Sequence, residues 1–247
     1  MSLAPKVGDT ITQTQMFEYL FTGPGAGDWL RYRLSTSSDT IIFKTIGFGP
    51  PDEDANTGAY IEIDTESVPI TSAPTLQTTN VGGAVVWKMY VNANDFTDPL
   101  RLYSIGDSAF KIGDGFFRLR HSMIAAAPAP EVSLHTLLWS GLVPLDDSRQ
   151  GVVRTVTPRD VKVRGRELHC TYIAVDFKEL RLPAGSQFPS ERIEIWQTPD
   201  IPVGTERIRT TVLGHTYDAE LVAFGRGSYH PIIDRPIAGM AAFPGSL

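Results

Sequence analysis

Cysteine is almost missing from this chain: Cys170 is the only one in 247 residues, which excludes an internal disulfide and any multi-thiolate zinc or iron–sulfur site. Cationic excess is missing too. Lys and Arg number 22 against 28 Asp and Glu, a net charge of −6, so little cation is left to neutralise a phosphate backbone and nucleic acid is not an expected partner. No run approaches the roughly 20 consecutive apolar residues that cross a bilayer as a helix, so a membrane-spanning chain is not expected. GxSxG, HExxH and a phosphate loop ending in GK[ST] are all absent. His121, His135, His169, His215 and His230 are scattered without an i,i+4 pair. No catalytic residue, metal ligand or cofactor is therefore assigned from motifs.

The residues that come nearest to chemistry read as structure. The cluster GPGAG at 23–27 lacks the third glycine spacing, the preceding strand and the following helix of a dinucleotide site, and reads as a turn. His169 and Cys170 are neighbours on a strand and point to opposite faces, so they cannot form a nucleophile pair. Cys170 shares its face with Leu168, Tyr172 and Ala174, as a buried structural thiol would. Acidic residues cluster at Asp52, Glu53 and Asp54 and again at Glu62, Asp64 and Glu66. Carboxylates two apart can share a hard cation such as calcium, but without Asp-x-Asp-x-Asp-Gly spacing a solvated strand face is expected.

What is present is strand. A hydrophobic fraction of 42% with 20% charge is ordinary globular material, and 22 Gly with 18 Pro punctuate short apolar runs. Residues 12–21 are compatible with a short helix ended by Gly23 or with a first strand. WLRYRL and TIIFKTIGF read as a hairpin, and AYIEIDTESV as a one-sided strand whose wet face carries Tyr60, Glu62 and Asp64. The stretches 50–58 and 69–83 read as long loops, with the strand AVVWKMYVNA after the second. RLYSIGDSAFKIGDGFFRLR reads as strands broken at Gly-Asp and again at Gly-Asp-Gly. One helix is expected where Ser133 can cap, Leu134, Leu137 and Leu138 share a face, and Gly141 can stop it. From VVRTVTPRDVKVRG to YDAELVAFG the runs form an antiparallel meander, and no repeat of 20–50 residues suggests a propeller or solenoid.

Within the meander, a strand with an internal Cys (LHCTYIAVDF) precedes a strand ending in Trp (IEIWQ). The turn Pro199-Asp200-Ile201-Pro202-Val203-Gly204, a polar strand and the closing strand ELVAFG follow. With the opening segments KVGDTITQ and GDWLRYRL, this order resembles bacterial envelope proteins of the LolA, LolB and LppX type, particularly their uncharacterised relatives. The resemblance implies a mostly β fold, a strongly curved antiparallel sheet forming an unclosed half-barrel, with few short helices. It also implies a concave face that holds a lipid, an acyl chain or another apolar or amphipathic molecule. A single domain spanning 1–247 is expected, with 1–11 as lead-in and 227–247 as an irregular tail. The start MSLAPKVGDT has neither a basic nor an apolar leader region. A periplasmic or envelope location then assumes a removed leader, with a cytoplasmic start as the alternative.

Aromatic side chains on a curved sheet fill either a core or a ligand cavity. On the cavity reading, Trp87, Trp139, Trp196 and Tyr172 are the candidate lining residues of a non-catalytic ligand-binding protein. The first alternative is a structural or interaction protein with a filled core, holding a protein partner through edge strands or the two long loops. The second is a carbohydrate-active enzyme that brings two carboxylates across a cleft.

Overall fold

Alternating runs separated by turn residues become strands that pair mostly with their sequence neighbours. The computed structural model describes residues 4–35, 40–50, 59–69, 85–91, 96, 98, 102–119, 131–139, 149–181, 187–234 and 240–242. The first half comprises β1 (Thr10–Thr12), α1 (Gln13–Glu18), β2 (Trp29–Ser35), β3 (Thr40–Gly49), β4 (Tyr60–Pro69), β5 (Val85–Val91), β6 (Tyr103–Ile112) and β7 (Gly115–Leu119). There follow β8 (Glu131–Val132), α2 (Leu134–Trp139), β9 (Gln150–Val163), β10 (Arg166–Phe177), β11 (Leu180–Arg181) and β12 (Gln187–Phe188). The last are β13 (Glu191–Gln197), β14 (Thr205–Val212), β15 (His215–Gly225) and β16 (Ala241–Ala242).

Apart from a small β11–β12 pair, the strands join one sheet in the order β1-β9-β10-β13-β14-β15-β2-β3-β4-β5-β6-β7-β16, with β8 beside β6. Neighbours run antiparallel except β16, which lies parallel to β7. The β15–β2 pairing, with Leu221 opposite Tyr32, stitches the first hairpin to the last long strand. The path ends at β1 on one side and β16 on the other, so the sheet does not close into a barrel. Bulges at Ala174/Val175, Trp196/Gln197, Leu221/Ala223 and Met89/Val91 bend it, as an extra residue on one strand does. The bending is strong enough that β9 touches β15 although three strands lie between them. The expected mostly β, unclosed sheet with few short helices is the fold observed.

The inner face is the core. Leu30, Tyr32, Ile46, Phe48, Ile61, Met89, Ile193, Ile195, Ile208 and Leu221 are all buried there. Both helices lie against it. Of the two structures that residues 12–21 allowed, the helix forms, ending at Tyr19 well before Gly23, while Thr12 ends the preceding β1 and caps α1. Its side chain accepts from Gln15 N at 3.2 Å while the Gln15 side chain accepts from Thr12 N at 3.0 Å, a reciprocal capping box. Ser133 caps α2 as expected, accepting from Thr136 N at 3.1 Å, and the helix buries Leu134, Leu137, Leu138 and Trp139. At the other ends, side chains from the sheet satisfy the free carbonyls. Gln197 Nε2 donates to Met16 O at 3.1 Å, and Lys44 Nζ donates to Leu137 O and Leu138 O. Burial pulls the Lys44 amine down to about 8.

Two expectations are corrected. Gly106-Asp107 does not break a strand: β6 runs through it, and the chain turns only at Gly113-Asp114, between Ile112 and its partner Gly115. The face of Tyr60 and Glu62 is not wet. Tyr60 is 8% exposed and Glu62 0%, because residues 229–233 of the irregular tail lie over them. Beyond their first residues the loops 50–58 and 69–83 lie outside the described residues, as do Asp52, Glu53, Asp54, His121 and Gly141.

The turn after β13 is held by a glycine that has no substitute. Gly204 has φ +77°, and a Cβ there would fall 2.0 Å from Leu20 O, whereas at Gly214 (φ +78°) a Cβ would meet open space. Gly214→Ala should therefore cost only the left-handed backbone penalty of about 1 kcal/mol. Gly204→Ala should cost at least twice that, measured as urea-unfolding free energy. Equal costs would mean that the 20–22 segment moves freely and does not anchor the turn.

Candidate functional site

The structure divides the four candidate lining residues between the two sides of the sheet. Trp139 is inside, 2% exposed, with its ring edge-on to Tyr32 at 5.0 Å. Trp87 also packs against the inner core, opposite Ile63 and stacked on Phe110 at 5.6 Å. Strand alternation puts Trp196 on the face opposite its buried neighbours Ile195 and Gln197, and its partly buried ring still packs against residues of the main core. Tyr172 lies directly opposite Trp196 on β10, with ring centroids 4.7 Å apart. Trp196 and Tyr172 thus share an outer site, and Trp87 and Trp139 sit at separate places on the inner face.

The space left under the two helices is not ligand-sized. Between the two helices and the sheet, Phe17, Phe21, His135, Leu138, Trp139, Val203 and Thr205 surround a gap of about 10 Å³. One water needs about that much, and pockets for drug-sized ligands run to roughly 300 Å³ or more. Phe17 and His135 close the seam between the helices with an edge-to-face contact at 4.4 Å.

The outer site is an aromatic pair set in paired charge. Arg207 and Arg209 lie 5.4 and 5.9 Å from the Trp196 ring, and Arg159 lies 6.0 Å from Tyr172. The Tyr172 hydroxyl donates to the Glu194 carboxylate, and burial together with that bond raises its pKa. Around them, Asp176 holds Arg154 at 2.9 Å and Arg192 at 3.3 Å. Asp218 takes two bonds from Arg207 and one from Arg209 at 3.2 Å. Burial works against the Asp218 charge, yet the two guanidinia hold its carboxyl below the usual range. Arg33 pairs with Glu220 at 2.6 Å and Arg31 with Glu66 at 2.8 Å, extending the lattice across the sheet. These partners are one-fifth to one-half exposed, so each pair contributes little stability by itself.

The sequence reading missed Glu206. It is the extra residue of the β13–β14 bulge, where Gln197 pairs with Thr205 and Trp196 with Arg207. The bulge leaves its side chain 3% exposed, with Oε2 lacking a hydrogen-bond partner among the described residues. Burial pushes its carboxyl up to about 7; Arg207 pulls the other way, and Glu220 and Asp218 add to the rise. Burial, followed by the Glu206 charge, pushes the Cys170 thiol up to about 12, which makes it the unreactive core residue its strand position suggested. His169, its neighbour on the opposite face of the strand, is exposed and bonds Asp160 at 2.8 Å.

A carboxyl raised in the folded state favours folding fully below its ordinary pKa near 4.5 and loses that contribution as pH climbs to about 7. The native chain should therefore lose stability between pH 5 and 8 relative to Glu206→Gln, by up to about 3 kcal/mol. Urea unfolding of both proteins at the two pH values measures it. An unchanged difference would mean that Glu206 is ionised and solvated in the fold.

No model of a known protein family matches the chain, and no curated protein matches it. Among solved structures it is similar to the hypothetical protein CT021 from Chlamydia trachomatis, at 10% identity and a TM-score of 0.36, over 95% of this chain and 98% of that one. It is also similar to a candidate exported protein with a YmcC-like fold from Bacteroides fragilis, at 8% identity and a TM-score of 0.32, over 84% of this chain and 99% of that one.

Proposed function

We propose that this chain is a non-catalytic interaction protein, which engages a protein partner on the outer face of its sheet around Trp196 and Tyr172. The observation that supports the reading is the tight seam between the two helices and the sheet, where the gap is about 10 Å³. An apolar ligand has no vacancy to enter there without moving a helix. Outside, the pairing of Trp and Tyr with arginines matches the side chains that dominate the buried centres of protein interfaces. The carboxylates already paired to those arginines keep the lattice ordered before a partner arrives, which lowers the entropy cost of binding.

A second reading has a specific observation in its favour. α1 and α2 are six residues each, too short to persist alone, and cover an apolar inner face. If α2 swung away, a lipid or lipoprotein acyl chain could take its place, as the envelope resemblance implies. Burial at about 0.8 kcal/mol per methylene would supply the affinity. Trp139 and Trp87 would then line the opened cavity, whereas Trp196 and Tyr172 would remain outside it.

Mass spectrometry of an organic extract, taken before and after incubation with envelope lipids, separates the readings. We expect an empty extract in both cases; a stoichiometric lipid would replace the interaction reading with carriage. The two aromatic sites should also differ in what they contribute to stability. Trp139→Ala should cost about 3–5 kcal/mol as a core truncation. Trp196→Ala should cost markedly less in the same unfolding assay, as befits a residue kept for contact with a partner. Equal losses would make Trp196 a structural residue.

A further inference from the structure

The most deeply buried charged side chains on the outer face lie where the sheet was expected to be wettest. Glu62 on β4 is 0% exposed and Lys88, its partner on β5, 5% exposed. Glu62 Oε1 accepts from the Tyr229 hydroxyl at 2.5 Å and from Ile232 N at 2.7 Å, and Oε2 accepts from Ile233 N at 3.0 Å. Lys88 Nζ donates to Ile233 O at 3.0 Å and sits 4.1 Å from the Tyr60 ring. Ile233 itself is fully buried, in a small apolar cluster with Tyr60, Val86, Tyr90 and Ala109 that is separate from the main core. Gly47 clears the floor: a Cβ there would fall 2.0 Å from the Tyr229 ring.

This arrangement has the parts of a peptide-binding site. A buried acceptor meets two successive main-chain N–H groups, a buried donor meets the next carbonyl, an apolar hole takes one side chain, and a shelf takes an aromatic ring. Residues 229–233 themselves pair with no strand, so their departure would leave the sheet's ladder intact. The segment also starts from a defined pivot. The Asp28 carboxylate accepts from Gly227 N at 3.2 Å and lies 3.5 Å from the Arg226 guanidinium, while Gly227 has φ +64°. We infer that the outer face of β4 and β5 is a docking socket for a short peptide, filled at rest by residues 229–233 of the same chain and able to take that segment from a second copy. The recognition falls mainly on main-chain groups of 232 and 233, so what the socket selects is one aromatic hydroxyl and one apolar side chain four residues apart. This surface is distinct from the Trp196–Tyr172 patch and stands whether or not that patch binds a partner.

The test uses the full chain and a fluorescent peptide of residues 226–234. Saturable binding is expected, at a rate that levels off with peptide concentration because the resident segment must leave first. A peptide carrying Ile233→Asp should bind at least tenfold more weakly, and a scrambled peptide not at all. In parallel, Glu62→Gln in the full chain should speed hydrogen exchange at the Ile232 and Ile233 amides at least tenfold while leaving β10 amides unchanged. That contrast distinguishes release of the segment from general loss of stability. Absence of saturable binding at millimolar peptide overturns the inference. So does exchange at Ile232 and Ile233 that proceeds only with global unfolding.

Discussion

An antiparallel sheet that curls without closing has an apolar inner face and too little of itself to cover it, and most of this structure follows from how that face is covered. Among the described residues two helices of six residues do most of it, neither long enough to be stable alone. Their stability is borrowed from the sheet. Met16, Phe17, Leu134, Leu137, Leu138 and Trp139 supply the apolar contact, and Gln197 and Lys44 reach up to satisfy the carbonyl ends. Lys44 is the less comfortable of the two, since burial opposes its charge, yet its amine is what the negative end of a helix favours. Phe17 against His135 then makes the two helices one lid.

The outer face divides into two regions. Over β10, β13, β14, β15 and β2 it is a lattice of arginines and carboxylates around one aromatic pair. Over β4 and β5 it is covered by the chain's own segment, which converts a face of alternating charge into a second, small core. The sheet's edges are guarded in ordinary ways. β1 and β16 are two or three residues long, and the rest of β9 carries Pro158 with Arg159, Asp160 and Lys162, which discourage strand addition. Neither outer region depends on an edge.

Burial pushes the buried carboxyls Glu191 and Glu206 toward their neutral forms, and a neighbouring arginine opposes the push in each. Arg149 and Glu191 form a buried ion pair at 2.7 Å, with Arg149 also donating to Pro189 O, so removing either would leave a charge stranded. Glu206 Oε2 has no such partner among the described residues, and its carboxyl is pushed toward its neutral form. Cys170 and Tyr32 lie near it, and their ionisation is suppressed first by burial and then by its charge.

The fold class, the β2–β3 hairpin, the closing meander, the capped α2 and the opposed faces of His169 and Cys170 were legible in the sequence. Each follows from a local rule: period-two alternation, glycine at a turn, or a serine before an apolar helical stripe. Which aromatic pair lies outside was not legible, because alternation says that Trp196 and Ile195 face opposite ways but not which face becomes core. The bulge that buries Glu206 adds a single residue to one strand and leaves no mark in the hydrophobic pattern. Glu62 reads locally as a solvated carboxylate, and only the arrival of Ile232 and Ile233, some 170 residues later, makes it a buried one. The sequence by itself determined where strands and caps form, since those depend on neighbours along the chain. Tertiary structure alone decided which faces are covered and by what, since burial depends on segments that the chain brings together only by folding.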